Sequence, residues 1–407
     1  MRTLIVTQYF PPEIGAPQAR LSELARFWAE AGDEVTVLTG MPNHPTGIVP
    51  PEYRGKLRSD ERTDGYRVVR TWLYATPNEG IVKKTIGHLS FMVTGVLFGL
   101  RRTGAADVVV VSSPTFFSIF SAWLLARAKR ARLVVEIRDL WPAIFVELGV
   151  LTNRRVIWLL ERLELWAYRT ADAVVVVSEG FKDDLVRRGI PADKVHTIRN
   201  GVDLERFVAG GDPAPGRRRL DVAEGHCLVL YLGAHGISHG LDAVLRAASH
   251  LTDEPIHFAL VGEGAKKAKL VAQAARDGLE NVRFYPGVPR DQVAELLAAA
   301  DICLVPLRDV PLFQSFIPSK IFEYFAAGKA VIGAVTGEPA RILCDGGALV
   351  VRPEDDEALA GAIGKLTHDP ELRAEMGQCA RSYVEQHFDR RTLAVKYQTV
   401  FSGLRYR

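Results

Sequence analysis

Cysteine is scarce in this chain of 407 residues, and Cys227, Cys303, Cys344 and Cys379 all fall in the second half without paired or metal-ligand spacing. Cys227 and Cys303 lie within apolar strand-like runs, where a thiol behaves as a small buried hydrophobe. That usage argues against a disulfide framework and for a reducing, cytoplasmic setting. Long hydrophobic runs are missing too. The longest, Ile86 to Leu100, is broken by His88 and Ser90 and falls short of the ~20 residues a spanning helix needs. The opening MRTLIVTQYFPP has no basic leader region and no cleavage site, so no secretory signal is expected. A dinucleotide fingerprint is absent, because Gly233, Gly236 and Gly240 have the wrong spacing for G-x-G-x-x-G. An NAD-dependent oxidoreductase is therefore disfavoured. No basic stripe with interleaved aromatics marks a nucleic-acid partner.

Net charge is small, +3, but unevenly placed: residues 1–200 carry +6 and the rest −3. Lys83-Lys84, Arg101-Arg102 and the group Arg127, Lys129, Arg130, Arg132 give the first half local basic patches. Such patches suit anionic lipid or a phosphate-bearing acceptor, and equally a solvated helix surface.

What is present is an alternation of β-branched runs with helix-length amphipathic segments. The length exceeds one ordinary core, so two domains are expected. Strands are predicted at Leu4–Thr7, Glu34–Leu38, Val68–Trp72, Val108–Val111, Leu133–Ile137 and Val174–Val177, with helices such as Gln18–Ala31, Phe116–Lys129 and Arg154–Tyr168 between them. After the Gly/Pro-rich stretch 207–216, the best linker candidate, the alternation restarts at Cys227–Leu232 and ends in three helical segments. Continuous apolar strands separated by helices predict parallel sheets covered on both faces. The expected class is α/β, with two Rossmann-like doubly wound domains and ligand sites at the C-terminal strand ends. The predicted divisions are 1–203, 204–387, and a last helix, 388–407, returning to the first domain.

Three segments could carry chemistry. The first strand runs into a small-residue loop with Gly15 before a helix, where free backbone N–H groups can meet phosphate. In the second half, Gly233, His235, Gly236, His239 and Gly240 occupy a strand-to-helix turn that makes an anion cradle; the histidines could donate to phosphate or merely cap the loop. The densest signal is 314–333. A helix is predicted to start near Pro318, putting Lys320 and Glu323 on one face, a lysine for phosphate and a carboxylate for ribose hydroxyls. A plain surface ion pair is the alternative, against which the neighbouring Ile321, Phe322 and Phe325 argue enclosure. A second glycine turn follows at Gly337-Glu338.

These residues carry a resemblance. SEGFKDDLVRRGIPADKVHTIRNGVDLERF (178–207), LVGEGAKKAKL (260–270) and IPSKIFEYFAAGKAVIGAVTGEPARIL (317–343) resemble glycosyltransferase family 4. YFPPEIGAPQARLSELA (9–25), TGMPNHPTG (39–47) and EIRDLWP (136–142) are similar, more narrowly, to bacterial enzymes of O-antigen, capsule and exopolysaccharide synthesis, including transferases of N-acetyl-L-fucosamine. The resemblance implies a GT-B fold and a retaining transferase. It also implies a nucleotide-sugar donor, UDP-linked by expectation, with no metal and no other cofactor. It places Glu323 on the donor ribose, Ser319 and Lys320 beside the diphosphate, Gly337 and Glu338 on a loop near the phosphates, Val288 at the nucleobase and Gly15 facing the donor sugar. Arg138 and Asp139 are expected to line the site and His44 to approach the acceptor, although Asp139 could instead cap a turn and His44 be an ordinary loop residue. The sequence departs from the family in three places. Ser315 stands where the first of two glutamates is usual, Ala234 and His239 where Arg and Lys are common, and Ser112-Ser113-Pro114 where many members have a histidine.

The expected acceptor is a saccharide or a polyprenyl-diphosphate-linked sugar, with peripheral membrane contact through the helix 81–100 in the first domain. A buried core helix is the rival reading of that segment. A GT-B UDP-sugar 2-epimerase, a natural-product glycosyltransferase and a non-catalytic homologue stay open as alternatives.

Overall fold

The computed structural model describes residues 1–405 except Ile14, Pro45, Asn78, Glu79, Pro114, Thr115, Leu148 and Val150. The chain forms two compact units, Met1–Arg199 joined by Arg390–Arg407, and Asn200–Asp389.

The first unit is built on strands β1 (Arg2–Val6), β2 (Glu34–Gly40), β3 (Arg58–Thr63), β4 (Tyr66–Thr71), β5 (Val108–Ser112), β6 (Arg132–Ile137), β7 (Ala173–Val176) and β8 (Val195–Thr197). Their order is β3-β4-β2-β1-β5-β6-β7-β8, parallel except for β3, which runs antiparallel to β4. Every residue of β5 is buried, as is every residue of β7. A valine run fits this setting because a branched side chain packs well on both covered faces of a parallel sheet. The exception, RSDERT in β3, is largely exposed and polar, as an edge strand must be to resist further pairing.

The last helix, Arg390–Arg405, belongs to this unit and packs on the first helix, Ala16–Glu30. Trp28, fully buried, meets the rings of Tyr397 at 5.6 Å and Phe401 at 5.2 Å edge-on, and its Nε1 donates to the Ala394 carbonyl at 3.1 Å. Below them Glu136 of β6 accepts from Arg20 Nε at 2.8 Å, from Ser112 Oγ at 2.6 Å and from the Tyr397 hydroxyl. Arg20 also donates to the carbonyls of Ile198 and Arg199. A buried carboxylate so well supplied stays ionised; the nearby Arg20 charge outweighs burial and holds it down at about 2.

The helix Gly80–Arg102 has an unusual polarity. Gly87, Phe91, Gly95 and Gly99, four apart, form its buried ridge, while Ile86, Leu89, Val93, Leu97 and Leu100 are exposed. Small residues let it sit close to β4 and to the helix Phe116–Lys129, where Gly99 would otherwise crowd Leu125 and Leu38. The leucines are left pointing away.

The second unit holds β9 (Cys227–Leu232), β10 (Ile256–Val261), β11 (Val282–Tyr285), β12 (Ile302–Pro306), β13 (Ala330–Ala334) and β14 (Leu349–Val351), all parallel in the order β11-β10-β9-β12-β13-β14. The Gly/Pro-rich stretch 207–216 is not the boundary. It lies inside this unit because Phe207 is buried and Arg381 Nη1 holds its carbonyl. In each sheet the strand order reverses once, between β1 and β5 and between β9 and β12, and ligands of doubly wound folds bind outside the strand ends at such points.

Candidate functional site

At the reversal in the second sheet, β9 ends in Leu232 and the chain turns at Gly233, whose φ of +146° only glycine adopts freely. A Cβ there would also lie 2.8 Å from Lys320 Nζ, so the missing side chain is what makes room for the ammonium. Lys320 opens the helix Lys320–Ala326, which follows β12. Part of its stem is exposed, but Nζ itself is buried, 3.6 Å from the centroid of the Tyr231 ring, with no hydrogen-bond acceptor among the described residues. The ring's negative face offers some compensation, less than an acceptor would. Burial therefore pushes the ammonium down to about 7, against the opposing pull of Glu323 one turn further along.

His235 is completely buried between Tyr231 and Phe284, with ring centroids at 5.9 and 6.0 Å, and neither ring nitrogen has a partner among the described residues. His239 lies 6.2 Å from the Tyr231 ring on its other approach. Burial, then the neighbouring positive charges, lower His235 to about 4 and His239 to about 3, so both are neutral at pH 7. A buried ammonium and two buried ring nitrogens left unsatisfied together are rare in a purely structural setting. An anion supplies the acceptors that Lys320 and a protonated ring N–H lack.

The structure thus gathers Gly233, His235, His239 and Lys320 around Tyr231, with Glu323 close enough to act on Lys320 and Ser319 adjoining. Gly337 and Glu338 stand one strand over, at the start of the helix Gly337–Asp345 after β13. Gly337 has φ +71°, and a Cβ there would strike the Gln314 carbonyl at 2.3 Å. Glu338 is buried in the first turn. Val288 is buried in the turn after β11, on the same edge of the sheet.

In the first unit the predicted residues are spread out: His44 follows β2, Arg138 and Asp139 follow β6, and β1 and β5 lie between. Gly15 precedes the first helix with an extended φ of 164°, open to any residue, although a side chain would displace Gln18. Arg138 is buried, and its Nε and Nη1 have no partner among the described residues. Burial lowers its pKa while Glu136 and Asp139 oppose the shift. Burial raises the Asp139 carboxyl, with Arg138 counteracting. What sequence reasoning missed is Glu13. Its buried carboxylate accepts from the backbone N–H of Phe10 at 2.9 Å and from those of Asn43 and His44 at 2.8 Å each. It thereby clamps the loop after β1 to the loop that carries His44, whose ring sits 5.2 Å from Tyr9. Burial still pushes this carboxyl up to about 7. The only sequence signal was an acid amid prolines. His88, bonded to Gln8 Oε1 at 2.6 Å, and Tyr231 were missed as well.

Two doubly wound α/β units in series are the GT-B architecture. Residues 15–201 match the family model described as a glycosyl transferase 4-like domain, and residues 216–383 match glycosyl transferases group 1. A relative assigned to colanic acid biosynthesis, the glycosyl transferase WcaI of Escherichia coli, is 29% identical over 96% of this chain and 97% of its own. Sucrose-phosphate synthase of Thermosynechococcus elongatus shares the fold with a TM-score of 0.78 at 19% identity, covering 99% of this chain and 98% of that one. HepE of Anabaena, solved in complex with UDP-glucose, superposes with a TM-score of 0.75 at 19% identity over 99% of this chain and 100% of its own. The chain belongs to the family 4 glycosyltransferases.

Proposed function

We propose that this transferase is retaining and metal-independent, and that it moves a sugar, an N-acetylated or deoxy amino sugar, from a UDP-linked donor to a saccharide or polyprenyl-diphosphate-linked acceptor. The observation that carries the reading is the buried Lys320 ammonium, without an acceptor among the described residues and aimed into the loop of Gly233, His235 and His239. Breaking the anomeric C–O bond leaves negative charge on the departing diphosphate, and donors already oriented and desolvated stabilise that charge most. Lys320 meets the diphosphate, Glu323 the ribose hydroxyls, and Ser319, Gly337 and Glu338 border the phosphates. Arg138 and Asp139 act at the strand ends of the first unit, and His44 approaches the acceptor. In a retaining course of this kind the acceptor's hydroxyl oxygen bonds to the anomeric carbon as the C–O bond to the diphosphate breaks, and the leaving phosphate oxygen takes the hydroxyl proton. The UDP-glucose bound to HepE supports a UDP donor. No helix among the described residues is long and apolar enough to cross a membrane. The outward stripe of Gly80–Arg102, flanked by Lys84 and Arg101-Arg102, supports contact with an anionic membrane surface.

The test is a thermal-shift screen with UDP, GDP, dTDP and ADP and their common sugars, with and without Mg²⁺. A ligand that binds only the native state raises the transition as ln(1+[L]/Kd). The expected outcome is stabilisation by UDP without metal, removed by Glu323→Ala. Stabilisation by another base, or only with Mg²⁺, overturns the corresponding part of the proposal.

A further inference from the structure

Away from the residues assigned above, the first unit has a groove of about 270 Å³ lined by Val49, Tyr53, Arg54, Lys56, Trp72 and Tyr74. Its floor reaches Met41, at the end of β2, two residues before Asn43 and three before His44. Trp72 and Tyr74 are 41% and 39% exposed, unusually open for side chains with that much apolar surface. Arg54 Nε is spent on the Val49 carbonyl at 2.9 Å, and the Lys56 ammonium sits 5.9 Å from the Tyr53 ring. No carboxylate among the described residues pairs with either cation, so the groove keeps its positive charge.

The composition of the wall is selective. None of its lining residues carries a carboxylate or carboxamide, the groups that usually bind sugar hydroxyls in pairs. Two cations next to aromatic rings instead match a ligand with an anionic head and an apolar body. The wall also leads somewhere. The Trp72 carbonyl accepts from Thr94 Oγ1 at 2.6 Å, and the Tyr74 N–H donates to Ser90 Oγ at 2.7 Å. Both partners belong to Gly80–Arg102, whose leucine stripe faces outward, and Ile48 and Leu57 add exposed apolar surface on the groove's own loops.

We infer that this groove binds a prenyl diphosphate, with the diphosphate on Arg54 and Lys56 and the chain lying over Trp72 and Tyr74 toward the stripe. The inference rests on the transferase reading, since it makes the groove the holder of a lipid-linked acceptor. The sugar end then extends past Met41 toward His44.

The experiment titrates the full chain with farnesyl diphosphate, following tryptophan fluorescence and calorimetry, beside farnesol, inorganic pyrophosphate and phosphatidylglycerol vesicles. Farnesyl diphosphate is expected to bind and to change the fluorescence, and Trp72→Phe to abolish that change while binding persists. Arg54→Gln with Lys56→Gln should weaken binding about tenfold or more, the effect of losing a charge-assisted contact. UDP-induced stabilisation should be untouched in these variants, which also certifies their fold. Equal binding of pyrophosphate would mean that the chain is not read, and equal binding of farnesol that the charge is not. Binding to vesicles alone reduces the groove to a general surface attraction. Farnesyl diphosphate binding indifferent to these substitutions places the lipid elsewhere. Each of those four results overturns the inference. If UDP fails to stabilise the wild type while farnesyl diphosphate behaves as expected, the donor proposal falls and the groove stands.

Discussion

The two sheet edges handle buried charge in opposite ways. Beyond β9 and β12, Lys320 has a buried ammonium with no acceptor among the described residues and two neutral histidines beside it. Beyond β1 and β2, Glu13 has a buried carboxylate with three backbone donors. A charge left unsatisfied costs stability and stores a demand for a ligand, whereas a satisfied one spends its bonding on holding loops in place. The edge beyond β9 and β12 thus keeps a buried cation unsatisfied, and the edge beyond β1 and β2 holds Asn43 and His44 in a fixed loop geometry.

Exchanging these characters should produce the largest effects at Lys320. Lys320→Met removes the cation and should lower turnover by roughly 100–1000-fold, as the loss of one preorganised donor does. The same change should raise the melting temperature of the ligand-free protein, because an unpaired buried charge gives way to an apolar group. A lower melting temperature would show that Lys320 is structural. Glu13→Ala should do the reverse. It strands three N–H groups at about 1–3 kcal/mol for the site, seen in urea unfolding, while UDP binding is unchanged and transfer to acceptor slows.

Glu13 also makes a signed pH prediction. Its carboxyl is raised from 4.5 to about 7 on folding, so the native state holds a proton that the unfolded chain releases. Stability from this group is present below pH 4.5 and is lost as the pH rises toward 7, by at most about 3 kcal/mol. Glu13→Gln should flatten that slope in unfolding curves between pH 5 and 8; an unchanged slope assigns it to other groups. At Lys320 the linkage appears in binding. An amine near 7 that meets a diphosphate is driven back up, so UDP binding takes up a proton and weakens above pH 7, by up to about tenfold per pH unit. Calorimetry in buffers of different ionisation enthalpy reads the proton directly, and Lys320→Met should erase it. The smallest expected change is in stability for Val93→Glu with Leu97→Glu on the outward stripe, within about 0.5 kcal/mol as for exposed sites. Flotation with phosphatidylglycerol vesicles should nevertheless be lost, and undiminished flotation would detach the stripe from any membrane role.

The strands of both sheets were legible because runs such as Val108–Ser112 have a composition that only burial on both faces explains. The polar β3 and the three-residue β8 were not, since their pairing is dictated by neighbours rather than by their own side chains. Glycine and proline at 207–216 pointed to a boundary that Phe207 and Arg381 convert into packed structure. At the donor-type edge the glycines, the histidines and Lys320 could be read from spacing. Tyr231 could not, because on a strand it resembles any core aromatic. Glu13 was hidden for a related reason, as the backbone groups it holds at Asn43 and His44 lie about thirty positions away.

The closing of the first unit by Arg390–Arg405 bears on how the chain is made. Trp28 and Glu136 wait for Ala394 and Tyr397, and Arg20 for the same tyrosine. A ribosome adding ~5–20 residues per second needs roughly 10–40 seconds to pass through Asn200–Asp389. During that interval the earlier domain is synthesised but unfinished, its tryptophan face bare. The first unit therefore cannot be completed until Arg390–Arg405 has been made, whereas Asn200–Asp389 is continuous in sequence.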